Sequence, residues 1–278
     1  MNSNESFDFL YIFNFEPRHM EGALNRFACS LQSIRNQAIN ICVSNNSIEC
    51  IEPMLRNIVP NARYIHRPYH GPFSRAHALN FGVRNLISSP YFVVSDVDLV
   101  YRNDHIQRLR KKLDDVLTTS DFPIRLVTYN YNLSPVHWPK WMDRRFLRRF
   151  THKSSPGNSS DYAALLKLPN NSGGFAHGNG VIHLESFSRI RGYDESLVGY
   201  GPEDDLFNCR IGKVNTLIYD PDPMTASIHL WHPRLRMIQY RKNMKIWAHM
   251  KAHYNALSNP SWDDVTTNRD RDDWGVIA

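Results

Sequence analysis

YFVVSDVDLVY, residues Tyr91 to Tyr101, joins a short apolar run to two aspartates that are two positions apart. A run of this length, rich in valine and aromatic residues, predicts a buried strand. Asp96 and Asp98 then lie at the carboxyl end of that strand with their side chains on the same side. Ligand sites of α/β folds gather at this end of the strands. The stretch therefore predicts an α/β protein with a candidate site at one edge of its sheet.

The strand signal recurs on both sides of this stretch and alternates with helical spacing. Strands are predicted at Phe7–Phe15, Ile39–Asn45, Ala62–Arg67 and from Ile124, and helices at Met20–Ile34, Ile48–Ile58, Phe73–Ser88 and from Asn103 to Leu117. Such alternation predicts a mostly parallel sheet with helices on both faces.

The length of 278 residues and the apolar fraction of 42% are those of one large folded domain. We place this domain at residues 1–233, with halves of about 1–103 and 104–233, and a C-terminal helix and tail at 234–278. Residues 134–174 are irregular and contain a basic and aromatic run, KWMDRRFLRRF, at 140–150. This run is interpreted either as a solvated basic helix or as a docking surface for an anionic glycan or a membrane-anchored acceptor.

The formal net charge is +6, which favours an anionic partner but is also compatible with an ordinary solvated surface. Because the start does not resemble a signal peptide and no apolar run reaches membrane-spanning length, we expect a cytoplasmic protein, with peripheral attachment to a membrane surface as an alternative. The four cysteines lack metal-ligand spacing and are predicted to be free thiols. They are Cys29, Cys42, Cys50 and Cys209.

Two separated clusters have the donor atoms of a divalent metal site. The carboxylates of Asp96 and Asp98 are hard oxygen ligands that suit an ion bridging a diphosphate. His229 and His232, in SIHLWHPR, would add imidazole ligands of the kind that Mn²⁺ and other first-row ions accept. Each cluster also has a structural explanation, because acids often occupy strand ends and histidines often occupy strands.

A third cluster, Glu203-Asp204-Asp205, follows the Gly201-Pro202 turn and is predicted to occupy the first turn of a helix. The helix dipole alone would favour acids there. A carboxylate in this position could also act as a base toward a hydroxyl group. We expect the three clusters to meet around one ion.

Three motifs give this chain a resemblance to a known family. FSRAHALNFG (Phe73–Gly82), SDVDLVY (Ser95–Tyr101) and GYGPEDDLFNCRI (Gly199–Ile211) occur in the order found in metal-dependent, inverting glycosyltransferases of the GT-A fold. The group they resemble most is that of β-1,4-galactosyltransferases and chondroitin polymerases. The resemblance extends from Phe7 to about Pro233 and implies a GT-A-like, Rossmann-like sheet followed by a C-terminal helical extension.

The resemblance also implies a role for each matching residue. Asp204 is the catalytic base, and Glu203 orients the acceptor. Asp98 and His232 bind the metal, with His229 in the position of a family methionine and Asp96 near both the metal and the ribose. The residues assigned to the nucleotide sugar are Arg75, Asp96, Phe13, Arg18, Gly178 and Asn179.

The implied activity is transfer of a hexose or N-acetylhexosamine from a UDP-sugar to a saccharide hydroxyl with inversion, dependent on Mn²⁺ or Mg²⁺. The acceptor would be a saccharide or glycoconjugate, membrane-anchored and acidic ones included, and no nucleic acid is expected. One alternative is a sugar-nucleotide nucleotidyltransferase, although NFEPRHMEG follows the first strand in place of a glycine-rich phosphate loop. The other is a non-catalytic basic module that binds glycans or nucleic acid.

Overall fold

The computed structural model describes residues 7–15, 19–71, 73–132, 172–199, 201–232, 239–268 and 273–275. The strands are β1 (Phe7–Phe13), β2 (Ile39–Asn45), β3 (Arg63–His66), β4 (Tyr91–Ser95), β5 (Leu99–Val100), β6 (Ile124–Asn132), β7 (Ser172–His183), β8 (Thr216–Asp220) and β9 (Ser227–His229). The helices are α1 (Met20–Ile34), α2 (Glu52–Ile58), α3 (Arg75–Leu86), α4 (His105–Leu117), α5 (Leu184–Arg189), α6 (Glu203–Ile211), α7 (Tyr240–Ala256) and α8 (Trp262–Val265).

These strands form one sheet in the order β3-β2-β1-β4-β7-β6-β9-β5, with β8 also paired to β6. The four strands β3, β2, β1 and β4 are parallel to one another. Strand β7 is antiparallel to both β4 and β6, whereas β8 and β9 run parallel to β6. The predicted mostly parallel sheet is confirmed. The antiparallel β7 lies in the middle of the strand order, between β4 and β6.

Helices cover both faces of the sheet, as predicted. Strand β1 is buried along its whole length, which explains why its sequence is apolar apart from Asp8. Its residues alternate between two cores: Phe9 and Tyr11 pack in the core shared with α1, α2 and α4, while Leu10 and Ile12 pack in the core shared with α3, α5, α6 and α7.

The predicted C-terminal helix is present as α7, which packs beside α6. The indole Nε1 of Trp247 donates to Asp205 Oδ2 at 2.7 Å, and Lys251 Nζ donates to the same oxygen at 2.9 Å. The short helix α8 is held by the buried Arg210, whose Nε donates to the carbonyl of Val265 at 3.0 Å. The domain limits at 103 and 233 stay predictions.

Other predictions concern the cysteines and the basic insertion. All four cysteines are free thiols, and Cys29 and Cys42 are buried, as predicted. The run at 140–150 and nearly all of the predicted insertion lie outside the described residues. Among the described helices, none combines the length and the apolar character needed to cross a bilayer.

Candidate active site

Asp98, His229 and His232 meet in a compact cluster at the carboxyl edge of β4. Nε2 of His229 lies 3.5 Å from Asp98 Oδ1, and Nε2 of His232 lies 3.2 Å from Asp98 Oδ2. Pairing of the short strands β5 and β9 produces this arrangement, because Leu99 is opposite His229 and the amide of Leu230 donates to the carbonyl of Asp98 at 2.8 Å. Asp98 of the first sequence cluster therefore lies together with both histidines of the second.

The pKa values of Asp98 and His229 are shifted in opposite directions. Burial disfavours the charge on Asp98, but the imidazoles of His229 and His232 outweigh this effect and hold the pKa of the carboxyl well below its usual range. Burial likewise opposes protonation of His229, and the Asp98 carboxylate more than offsets it, so the pKa of His229 is raised above 6.5. Asp98 is therefore ionised at neutral pH, which is the form in which a carboxylate binds a metal ion.

The donor set fits a first-row divalent ion. One carboxylate and two imidazoles offer ligand atoms that all lie within 4.8 Å of one another. Two donors on one such ion are at most about 4.4 Å apart, since each bond is about 2.0–2.2 Å long, so a small adjustment would bring all three to a common centre. Asp98 Oδ1 is also buried without a hydrogen bond from the described residues, which leaves a lone pair for a ligand.

Asp96 points away from this cluster toward Arg75 and Asn179. Nη2 of Arg75 donates to Asp96 Oδ1 at 3.0 Å, and Nδ2 of Asn179 donates to Asp96 Oδ2 at 3.1 Å. The amide of Asp96 donates in turn to Asn179 Oδ1 at 3.0 Å. Three residues predicted to face the nucleotide are thus joined, whereas the group of three possible ligands does not include Asp96, and its role as a direct ligand stays a prediction.

The acidic start of α6 meets the Arg75 guanidinium, and its carboxylates are not part of the group of three possible metal ligands found among the described residues. Arg75 Nη1 donates to Asp204 Oδ1, and Arg75 Nη2 donates to the carbonyl of Gly178 at 3.2 Å. Gly178 lies directly against both side chains, since a Cβ added there would be 2.6 Å from Arg75 Nη2 and 2.6 Å from Asp204 Oδ2. A residue with a Cβ would force these side chains to move, so glycine allows this approach. Arg75 is the first residue of α3, whose start is capped by Ser74. It therefore links the Asp96 and Asp204 carboxylates.

The pKa values of the two tandem acids are raised. Burial is the largest cause for Glu203, followed by the negative charge of Asp204, and together they raise its pKa to about 8. For Asp204, burial and the Asp96 charge outweigh the opposing effect of Arg75 and raise the pKa above 3.8. Carboxyls with raised pKa values are suited to exchange protons near neutral pH.

Glu203→Gln should change the pH dependence of stability. Because the folded-state pKa of Glu203 is about 8 and its ordinary value is 4.5, the folded wild type loses stability as the pH rises from 4.5 to 8. Glutamine cannot ionise, so the variant should melt close to wild type at pH 5 and be more stable at pH 9, by on the order of a few kcal/mol. Thermal melts at both values measure this, and an equal difference at the two would contradict it.

Phe13 and Arg18 are the other two residues with a predicted contact to the nucleotide. The ring of Phe13 is fully buried and packs on Phe15 and Phe27, with centroids 5.0 and 5.4 Å away. It belongs to the core because it is an inward-facing residue of β1, so the structure does not support the predicted contact of its side chain with nucleotide. Arg18 lies outside the described residues.

Arg125 is a positioning residue that the sequence did not reveal. Strands β6 and β7 pair regularly up to Val127 and Gly180 and resume at Tyr129 and Phe175, so that Thr128 alone faces residues 176–179. This bulge would leave carbonyl groups unpaired. The fully buried Arg125 satisfies them, donating from Nη2 to His177 O at 2.8 Å and to Asn179 O at 3.3 Å.

Arg125 also fixes the helix that carries the acids. Its Nε donates to Asn208 Oδ1 at 2.9 Å, while Asn208 Nδ2 donates to the carbonyl of His177 at 2.8 Å. A single guanidinium thereby ties the Gly178–Asn179 segment to α6. A lone arginine in a strand carries no sequence signal for such a role, because its partners are backbone carbonyls chosen by the fold.

Arg125→Lys should lower stability, because lysine cannot reproduce the planar fork. We expect a loss of about 2–4 kcal/mol in stability and about tenfold weaker affinity for UDP with Mn²⁺, the ligands that the family resemblance implies, measured by calorimetry well below the melting temperature. Arg210→Lys is the matched control, since Arg210 is equally buried but bonds the carbonyls of Val265, Ile190 and Gly192. If Arg125→Lys and Arg210→Lys bound UDP with equal affinity, Arg125 would have no positioning role.

The fold places the chain among structures of the GT-A-like glycosyltransferase fold. The mannosyltransferase PcManGT from Pyrobaculum calidifontis, in complex with GDP-Man and Mn²⁺, superposes with a TM-score of 0.51 at 14% identity over 91% of this chain and 65% of that one. The chain thus spans just under two thirds of the length of that enzyme.

S. aureus TarS 1–349 has the same fold. Its complex with UDP gives a TM-score of 0.56 at 11% identity, and the structure without a named ligand gives 0.51 at 10%, each over 94% of this chain and 68% of that one. No protein-family model matches the sequence, and no curated protein matches it significantly. At these identities the likeness concerns the fold.

Proposed function

We propose that this protein transfers a hexose or N-acetylhexosamine from a UDP-sugar to a saccharide hydroxyl, with inversion and with the help of a divalent ion, Mn²⁺ or Mg²⁺. The observation that carries the proposal is the cluster of Asp98, His229 and His232 at the sheet edge where Arg75 joins Asp96 to Asp204. Its fold is shared with a mannosyltransferase solved with GDP-Man and Mn²⁺ and with TarS solved with UDP.

The donor side of the proposed site is the edge formed by β4, β7 and β9. Asp98, His229 and His232 would hold the ion, which when bound neutralises the charge of the departing diphosphate. Asp96, oriented by Asn179, and Arg75 would contact the nucleotide. Gly178 and Asn179 would lie beside the donor sugar, where a residue without a side chain lets the ligand approach the backbone.

The acceptor side is the first turn of α6. Asp204 would take the proton of an acceptor hydroxyl. The oxygen of that hydroxyl would form a bond to the anomeric carbon while the bond from this carbon to the diphosphate breaks. Attack from the face opposite the leaving group inverts the configuration. Glu203, largely protonated at neutral pH because of its raised pKa, would orient the acceptor and supply the proximity contribution.

A thermal-shift panel tests the proposal. Wild-type protein is melted with UDP, GDP, UDP-hexoses and UDP-N-acetylhexosamines, each with Mn²⁺, Mg²⁺ or chelator. A ligand that binds the native state raises the melting temperature by mass action, so we expect a uridine nucleotide to stabilise the protein with metal and to lose this effect with chelator. Proton NMR of the transfer product then reports its anomeric configuration. Stabilisation by no nucleotide under any metal condition would overturn the proposal.

A further inference from the structure

Five aromatic side chains form one continuous surface on strands β6, β7 and β8, which we name the ring surface. It consists of Tyr129, Tyr131, Phe175, His177 and Tyr219. Neighbouring ring centroids lie 5.1–5.6 Å apart, from Tyr131 through Tyr129, Phe175 and Tyr219 to His177. The pairing of Tyr129 with Phe175 across β6 and β7 places these rings on one face of the sheet.

The ring surface adjoins the proposed catalytic edge. His177 immediately precedes Gly178, the residue that lies against Asp204. Nδ1 of His177 is 3.7 Å from Asp205 Oδ1, and Asp205 is the residue after Asp204 on α6. An extended ligand that reached the Asp204 carboxylate from this side would therefore cross the rings.

Exposure of two of the five rings indicates a ligand surface rather than part of a core. Phe175 and Tyr219 are 37% and 38% exposed. Both belong to the exposed large hydrophobic side chains among the described residues, and their ring centroids are 5.1 Å apart. Clustered exposed aromatics that also carry polar groups are typical of binding sites.

We infer that the ring surface binds a saccharide segment of the acceptor; this rests on the proposed function. The C–H faces of a pyranose ring are apolar and suit aromatic faces, while its hydroxyls suit the hydroxyls of Tyr129, Tyr131 and Tyr219. The surface favours a polyol over a nucleic acid because Asp222 lies at its margin and would repel phosphates, whereas the charge of Asp205 is paired with Lys251. Asp222 is close enough to Tyr131 to add to the effects of burial and Tyr129, which raise the pKa of that phenol.

The variants Phe175→Ala and Tyr219→Ala test the inference, with Tyr219→Phe retaining the ring and Phe122→Ala as the matched control. Phe122 is 62% exposed and is not part of the ring surface, so its removal should change nothing. Each protein is applied to an array of neutral and acidic oligosaccharides, and the best one for wild type is titrated by calorimetry. We expect binding about tenfold weaker in both alanine variants and within about twofold of wild type in Tyr219→Phe and Phe122→Ala.

Affinity for UDP with Mn²⁺ is measured in every variant and should not change. If wild type binds the nucleotide but Phe175→Ala and Tyr219→Ala bind the oligosaccharide as wild type does, the ring surface is not the acceptor site and the proposed function stands. If wild type binds an oligosaccharide through these rings but no nucleotide, the proposed function fails and the saccharide site stands. Absence of wild-type binding to every oligosaccharide, or a dimer in sedimentation that Phe175→Ala dissolves, overturns the inference.

Discussion

Asp204→Asn should lower the rate of sugar transfer about 10²- to 10⁴-fold, the range that a positioned general base contributes. The amide cannot accept the proton of the acceptor hydroxyl, yet it retains the shape of the side chain that lies against Gly178 and Arg75. Affinity for the nucleotide with Mn²⁺ should stay within about threefold of wild type, so the loss would appear in kcat. Transfer assays and calorimetry on the same preparation measure both quantities.

The control for this variant is Asp115→Asn, an exposed acid that pairs only with Lys111 among the described residues. It removes the same charge far from the sheet edge and should leave the rate unchanged. Wild-type kcat in Asp204→Asn would exclude this carboxylate as the base, and Glu203 would then be the remaining acid of the first turn with a raised pKa.

Asp98→Asn should reduce the affinity for Mn²⁺ about 100-fold or more and abolish metal-dependent nucleotide binding. Loss of outer-shell partners alone costs about 10- to 100-fold at metal sites, and Asp98 is the only carboxylate in the group of three ligands found among the described residues. The amide can still accept a hydrogen bond from an imidazole, so the fold should survive. Electron paramagnetic resonance of free Mn²⁺ measures the affinity directly.

The companion variants His229→Gln and His232→Gln divide the site between the imidazoles. Both rings lie within 3.5 Å of Asp98, so each replacement should weaken Mn²⁺ binding, though less than Asp98→Asn because the anionic ligand remains. Unchanged Mn²⁺ affinity in Asp98→Asn would show that Asp98 does not bind the metal and that its contacts with the two histidines are structural. Melting temperatures of all three variants separate a lost ligand from a lost fold.

Much of the fold could be predicted from local pattern. Mainly apolar runs such as Phe7–Phe13 and Tyr91–Ser95 mark strands that are buried on both faces, and helical spacing between them implies crossovers. The two aspartates after Tyr91–Ser95 indicated a site because carboxyl ends of strands meet at one edge. The antiparallel β7 could not be anticipated, because its pairing with both β4 and β6 depends on which strands the chain brings together.

The candidate site was predicted in part for the same reason. The sequence contains Asp98 and two histidines but does not show which of them meet; the pairing of β5 with β9 brings both rings to the carboxylate. Conversely, Phe13 is predicted to contact the nucleotide, yet its place on β1 buries the ring. A motif specifies which residue types are present, whereas the direction of each side chain depends on the element around it.

The order of residues by itself determined the alternation of strands and helices and the positions where charged groups end them, because both follow from interactions over a few neighbouring residues. Tertiary structure alone decided that Arg75 joins two acids 108 positions apart, Asp96 and Asp204, that Arg125 closes the bulge of β7, and that five rings share one surface. These contacts depend on strand order and register, which are set by burial of the whole sheet and not by any local stretch.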